Sequence, residues 1–136
     1  MSYGDKKLVR VNFPEFDFGA DANETYCFRL PKDEHGNNQQ GELVNIGLSI
    51  TETFACDGTA ASVELGSTSD ADAYAKLTIA DAAADNDCFD VSDDTDAIIS
   101  ANIAAGALLK VTLTQSTDGS SDAGKGMPFF DFYVWN

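Results

Sequence analysis

The chain has 136 residues, 43% of them hydrophobic and 10% aromatic, which predicts one folded domain with a buried core and excludes a disordered chain. Eight basic residues against twenty-three acidic ones give a net charge of −15, so nucleic acid and anionic membranes, which would repel the chain, are excluded as direct partners. Such a charge instead favours solubility, as on the exposed face of an assembly.

The N-terminal segment, residues 1–25, differs in character from the remainder of the chain. "KLVRVNF" alternates apolar and polar residues as a short strand does. "NFPEFDF" follows, and its aromatic residues Phe13, Phe16 and Phe18 predict an arm that docks onto the chain's own core or onto a neighbour. The domain prediction is this arm and a single β-sandwich domain over 26–136. The segment lacks the apolar stretch of a signal peptide, which predicts a soluble, unexported protein.

The clearest strand in the sequence is "ELVNIGLSITETF". Its apolar residues fall on one parity and its small polar residues on the other, which predicts a strand with one buried face. The residues predicted to be buried are Val44, Ile46, Leu48, Ile50 and Phe54. Shorter alternations in "TYCFRL", "SVEL" and "AKLTI" predict three further strands.

An acidic run, "ADNDCFDVSDDTDA" at residues 84–97, holds six aspartates in fourteen positions. It does not fit a calcium loop of the EF-hand type, because Phe89 occupies the fifth position, a ligand position, when the loop is counted from Asp85. A looser calcium site formed by Asp85, Asp87 and Asp90 stays open beside the other interpretation, a solvated loop that protects a sheet edge from pairing. Within the run, "CFDV" predicts a short strand that leaves the aspartates in solvent.

The next segment, "TDAIISANIAAGA", is compatible with a short helix that ends at Gly106. It is followed by "ALLKVTLTQ", which alternates as a strand does. The Gly- and Ser-rich stretch over 116–126 lies between this strand and the last one, and it predicts a long hairpin loop.

The last strand, "MPFFDFYVWN", carries large apolar groups on both of its faces, whereas a strand in a one-sided sheet buries only one set. Either the strand is central with both faces covered, or its second face meets another chain. The residues of that second face, which are the candidate interface residues here, are Phe129, Tyr133 and Trp135.

Eight short strand segments separated by Gly, Asp, Asn and Ser clusters predict an all-β fold. The expected architecture is a jelly-roll-like β-sandwich or barrel of about eight short antiparallel strands, with at most one short helix.

Signatures of catalysis are missing from the sequence. The single histidine, His35, lies in a polar loop, and the cysteines Cys27, Cys56 and Cys88 are odd in number and widely spaced, unlike a disulfide framework or a zinc module. The chain also lacks the common nucleotide-binding, hydrolase and metalloprotease motifs. The prediction is therefore a protein without enzymatic activity, cofactor or structural metal.

Several short motifs resemble a pattern found in small virion proteins of tailed bacteriophages. They are the "DGT" turn at 57–59, "SVELG" at 62–66, "DADAY" at 70–74, and "VTLT" at 111–114 joined through Gly119 to "GKG" at 124–126. The acidic run departs from this pattern, which carries a shorter connection there. Together the motifs cover roughly half to two-thirds of the chain.

The resemblance implies a capsid decoration (cement) protein, a structural protein that binds the outside of a phage head and stabilises it. It further implies a homotrimer, the major capsid protein as partner, synthesis in the host cytoplasm and a final place on the virion exterior. Two alternatives stay open. One is a phage tail, fibre or head–tail adaptor component, and the other is a calcium- or carbohydrate-binding β-sandwich module.

Overall fold

The structure is a computed structural model that describes residues 6–55, 59–80, 83, 87–116 and 123–136. These residues form ten strands and no helix. All eight predicted strands are present, and two strands of two residues each were not predicted. The strands are β1 (Lys7–Asn12), β2 (Phe16–Asp17), β3 (Glu24–Phe28), β4 (Gln40–Ala55), β5 (Ser62–Gly66), β6 (Ala75–Thr78), β7 (Cys88–Phe89), β8 (Asn102–Ile103), β9 (Leu109–Thr114) and β10 (Ala123–Trp135).

The strands form two antiparallel sheets, which confirms the all-β, sandwich-like class. The large sheet has the order β1-β10-β4-β7, with β2 also paired to β10 and β8 also paired to β4. The small sheet has the order β3-β9-β5-β6. Within the described residues the sheets do not close into a barrel, because each path ends at strands that pair on one side only.

The core lies between the sheets and is formed by the inward-facing residues of the long strands. Along β9 the burial alternates residue by residue, as expected for a strand with one buried face. The largest side chains with almost no exposure are Phe16, Phe18, Leu43, Ile46, Leu48, Phe54, Leu65, Leu77, Ile79, Leu109, Phe130 and Phe132.

The burial pattern predicted for β4 is correct from Ile46 onward and wrong at Val44. Asp131 of β10 lies opposite Asn45, whereas the next residue, Phe132, lies opposite Leu43. Val44 is therefore the extra residue of a β-bulge, and a bulge reverses the parity of every residue beyond it. As a result Leu43, at 1% exposure, takes the core position that was predicted for Val44.

The predicted hairpin over 116–126 is wrong. The strand before it, β9, pairs with β3 and β5 in the small sheet, whereas β10 pairs with β1, β2 and β4 in the large sheet. The connection therefore crosses from one sheet to the other, and most of it, 117–122, lies outside the described residues. Composition indicated a loop here but carried no information on the partners of the two strands.

The helix considered before Gly106 is not formed. Ile98 makes an isolated β-bridge with Ala75, and the backbone N–H groups of Ile99 and Ser100 both donate to the carbonyl of Tyr74. Pairing with β6 and β4 therefore supplies the backbone hydrogen bonds that a helix would have made within the segment.

Candidate docking surface

The outer faces of the two sheets differ in chemistry. The small sheet presents short polar and charged side chains, because the residues that alternate with its buried positions are hydrophilic. These residues are Thr25, Cys27, Glu64, Lys76, Thr78, Lys110 and Thr112. Thr25, Cys27, Lys76 and Thr78 are exposed, whereas Glu64, Lys110 and Thr112 are partly buried.

The outer face of the large sheet is mixed: it carries charged residues such as Arg10, Asp131 and Glu42, and also most of the exposed large hydrophobic side chains. Among the described residues the exposed large hydrophobic side chains are Leu8 (62% exposed), Ile99 (58%), Met127 (40%) and Tyr133 (37%). Three of these four lie on this face, where Leu8 of β1 is directly opposite Tyr133 of β10. Ile99, the fourth, belongs to the connection between β7 and β8.

Phe129 is the centre of this outer face, although it is only 5% exposed. Its ring lies over Gly47 of β4, where a Cβ atom would overlap the ring. The guanidinium carbon of Arg10 lies 4.2 Å from the ring centroid, which is a cation–π contact. The glycine and the arginine together bury an aromatic ring that the strand pattern places outside the core.

Arg10 is held in this position by Asp131. Its Nε and Nη2 donate to the two carboxylate oxygens of Asp131 at 2.7 and 2.9 Å, which is the bidentate geometry. The hydrogen bond to Asp131 raises the pKa of Arg10 above its ordinary value, although burial opposes the shift. Asp131 itself is 8% exposed, so the pair neutralises a carboxylate that lies largely out of water.

A groove crosses the strands beside Phe129. Gly47 has no side chain and Ser49 has a short one, so few atoms project from β4 at this part of the outer face. Met127 of β10 lies directly opposite Ser49. The volume of the groove is about 370 Å³. Its lining, called the cross-strand groove below, is Arg10, Asn12, Phe13, Ser49, Cys88, Met127 and Phe129.

One end of the groove meets the acidic turn, residues 87–97, in which several carboxylates bind the backbone of the turn. Asp87 accepts a hydrogen bond from the N–H of Cys88, and Asp93 accepts one from the N–H of Asp90. Asp90 in turn accepts the N–H and hydroxyl of Ser92. Asp87 and Asp93 remain exposed, so this end of the groove carries negative charge.

Two groups at the acidic end of the groove, Cys88 and Asp90, have shifted pKa values. Burial raises the pKa of the Cys88 thiol, and the Asp90 carboxylate adds to the shift while Arg10 opposes it, so the thiol is protonated at neutral pH. Burial also favours protonation of Asp90, but the hydrogen bonds from Ser92 and Asn45 outweigh it and lower the pKa of Asp90. The groove is therefore lined at this end by a protonated thiol, with the ionised carboxylate of Asp90 beside it.

The candidate interface residues on β10 share this face. Phe129 forms the floor beside the groove, Tyr133 is exposed, and Trp135 is half-buried with the amino group of Lys6 4.6 Å from its ring centroid. β10 is also a central strand. The inner set of "MPFFDFYVWN" is buried in the core and the outer set is only partly covered, so a contact of the outer set with another chain stays a prediction.

Of the described aromatic residues in the N-terminal segment, two are buried in the core and one is half-buried. Phe16 and Phe18 are core residues, with ring centroids 4.7 Å apart and with Phe18 5.5 Å from Phe54. Of the two partners considered for this arm, Phe16 and Phe18 therefore dock onto the chain's own core and are not available as interface residues: β2 pairs with β10, and the N–H of Phe18 donates to the carbonyl of Gly124. Phe13 is half-buried against Tyr26 and also lines the groove.

Leu8, Arg10, Ser49 and Met127 were not predicted as site residues. The signal for the first two was present, since the alternation that buries Val9 and Val11 sends Leu8 and Arg10 to the opposite face. Ser49 and Met127 had no such signal, because their proximity arises from the pairing of β4 with β10.

The calcium interpretation receives no geometric support in the described part of the chain. Asp85 lies outside the described residues, while Asp87 and Asp90 bind the turn as above. Among the described residues, no three His, Cys, Asp or Glu side chains lie close enough together to hold a metal ion. Phe89 and Val91 pack against the core, which confirms that "CFDV" anchors this segment.

His35 lies in the polar loop before β4, where it is exposed and its Nε2 is 3.6 Å from the Glu34 carboxylate. A smaller polar pocket of about 150 Å³ is lined by this loop and the end of β10. Neither feature assembles a nucleophile with a base.

Comparison of the chain with family models, with curated proteins and with solved structures finds no match. The described part of the chain holds no helix that is long and apolar enough to cross a membrane.

Proposed function

We propose that this protein is a structural, non-enzymatic protein that binds the outer surface of a bacteriophage capsid and stabilises it, with the outer face of the large sheet as its binding surface. The observation that carries the proposal is that three of the four exposed large hydrophobic residues described, Leu8, Met127 and Tyr133, lie on that face, with Leu8 opposite Tyr133 and Met127 six residues away along β10. Exposed apolar side chains that share one face mark an interface more often than the same residues spread over several faces.

The charge distribution supports the same orientation. Two cations of this face are paired within the chain, Arg10 with Asp131 and Lys125 with Glu52 at 3.8 Å. Burial of these two cations in a contact therefore does not desolvate an unpaired charge, which would oppose binding. Glu34, Asp87 and Asp93 in the loops are exposed, and acidic residues that stay in solvent hold neighbouring particles apart.

The experiment is co-sedimentation of the protein with purified capsids. Leu8→Asp combined with Tyr133→Asp places charge on the proposed face at two exposed positions, so we expect an unchanged circular dichroism spectrum and loss of sedimentation with capsids. Ile99→Asp is the matched control, because it charges an exposed apolar residue away from this face. A protein that does not bind capsids, or a double variant that binds as well as the control, would contradict the proposal.

The number of copies per particle separates this role from that of a tail, fibre or adaptor component, since decoration requires copies over the entire head.

We also propose that the protein is a homotrimer. Among the described residues β1 and β3 each pair on one side only, which leaves backbone groups for contacts between copies. Size-exclusion chromatography with light scattering is expected to report three times the chain mass, and a strictly monomeric protein would contradict the trimer.

A further inference from the structure

We propose that the cross-strand groove binds an extended segment of a partner protein that inserts one large apolar side chain and carries Lys or Arg next to it, on the side that meets the Cys88 end of the groove. This inference rests on the proposed function, because it names the chemistry of the partner at the same face. It adds that the partner contacts the cross-strand groove through a segment with this pattern of apolar and basic residues.

The apolar part of the groove selects the inserted side chain. Phe13, Met127 and Phe129 supply the apolar lining, and Ser49 leaves the space between them. The floor is rigid, because Phe129 is fixed between Gly47 and the Arg10–Asp131 pair. Met127 is the adaptable element, since an unbranched thioether side chain adjusts to the shape of what it meets.

Charge selects the residues that flank the inserted side chain. The cation in the groove, Arg10, is neutralised by Asp131, and Asp90 is bound by Ser92 and Asn45. Asp87 and Asp93, by contrast, are exposed beside the Cys88 end of the groove. A second copy of this chain, with a net charge of −15, is a poor occupant, whereas a basic segment is electrostatically complementary.

The probe is a fluorescent peptide with a central Leu between two pairs of Lys, titrated with the full chain at low salt and followed by fluorescence anisotropy. One matched peptide replaces Leu by Ser, and another replaces every Lys by Glu. We expect the Leu–Lys peptide to bind at least roughly tenfold more tightly than either matched peptide, because each lacks one of the two complementary features.

Substitutions in and near the groove test whether the peptide binds there. Ser49→Leu fills the groove, and Met127→Ser removes its adaptable wall from an exposed position, so each is expected to weaken binding by roughly tenfold. Asp87→Asn with Asp93→Asn keeps the oxygen that accepts the backbone hydrogen bond and removes both charges. This double variant is expected to weaken binding several-fold at low salt and to have little effect at about 0.5 M salt. Ile99→Ser and Glu24→Gln with Glu34→Gln are the matched controls.

The inference is overturned if the Leu–Lys peptide does not bind, if the Ser peptide binds equally well, or if neither Ser49→Leu nor Met127→Ser weakens binding. Capsid sedimentation separates this outcome from failure of the proposed function. If the native protein binds the peptide, Ser49→Leu does not, and the native protein does not sediment with capsids, then the groove assignment stands and the proposed function is wrong. If capsids bind and Ser49→Leu sediments with them unchanged, only the groove assignment fails.

Discussion

Phe129 shows how single residues determine the character of the outer face. In a sheet of alternating residues its ring should be exposed to solvent, yet it is 5% exposed, because it occupies the space that a side chain at position 47 would fill and it contacts the Arg10 guanidinium. The side chain therefore contributes to the stability of the large sheet as well as to the proposed binding surface.

We predict that Gly47→Ala lowers the free energy of unfolding by about 1–3 kcal/mol, because the added methyl group overlaps the Phe129 ring and forces it away from the sheet. Urea denaturation followed by circular dichroism measures the change. Ser49→Ala, on the same strand and face, is the control and should be nearly neutral. In the Phe129→Leu background the cost of Gly47→Ala should shrink, and an equal cost in both backgrounds would contradict this explanation.

Glu64, on the outer face of the small sheet, is expected to destabilise the fold at neutral pH. Burial raises its pKa above the ordinary value of 4.5, Lys76 opposes the shift, and Asp72 and Asp70 add to it. A carboxyl whose pKa is higher in the folded chain is less favourable when ionised there, so its cost appears as the pH rises through the folded pKa and disappears below the unfolded one.

The corresponding prediction is that Glu64→Gln raises the urea midpoint at pH 7 and that this gain vanishes as the pH falls below 4.5. Denaturation curves of both proteins over the range from about pH 7 to about pH 4 measure it. Glu34→Gln removes one charge from an exposed loop and is the charge-matched control. A gain that is independent of pH would show that ionisation of Glu64 is not its cause.

At the scale of an element, the acidic turn is a folded unit. Its carboxylates accept hydrogen bonds from backbone N–H groups within the turn, and Asp94 accepts one from Thr78 of β6. Phe89 and Val91 fix the turn to the core. The density of aspartate, which first suggests a metal site, is therefore explained for Asp90, Asp93 and Asp94 by the geometry of the backbone they bind.

We predict that Asp90→Ala lowers the free energy of unfolding by about 0.5–1 kcal/mol at neutral pH, a value reduced by partial exposure. Because the pKa of Asp90 is lowered in the folded chain, its contribution is present above the ordinary value of 3.8 and is lost as the pH falls through the folded pKa. The two proteins should therefore converge in acid. Asp90→Asn, which keeps one acceptor oxygen, should cost less, and an equal cost would argue against the hydrogen bonds to Ser92.

Strand positions were predictable from the sequence, because an alternation of apolar and polar residues is a local property of a half-buried strand. Strand partners were not. β10 pairs with β1, whose residues are more than a hundred positions away, and the bulge at Val44 follows from its pairing with β4. The cross-strand groove depends on these pairings, which is why only some of its residues could be predicted.

At the scale of the whole molecule, the net charge of −15 opposes compaction. We predict that raising NaCl from about 0.01 M to about 0.3 M raises the thermal midpoint by a few degrees, because the Debye length falls below the spacing of most surface charges. Differential scanning calorimetry measures the shift. A midpoint that is insensitive to salt would show that the acidic residues lie too far apart to repel one another effectively.

CaCl₂ at matched ionic strength is the control for that experiment. If screening alone operates, the two salts should act nearly alike at low concentration. A markedly larger rise with calcium that is absent from a variant with Asp85, Asp87 and Asp90 changed to Ala would favour the calcium-binding alternative. The same experiment thereby tests the one metal hypothesis raised by the sequence.

By itself the sequence determined the class of fold, the approximate positions of eight strands and the acidity of the surface, because periodicity and composition are properties of short stretches or of totals. The tertiary structure alone decided which strands are neighbours, and so brought Arg10, Gly47 and Phe129 together and placed β9 and β10 in different sheets. The physical reason is that pairing between distant segments depends on the fit of whole faces, which no local pattern encodes.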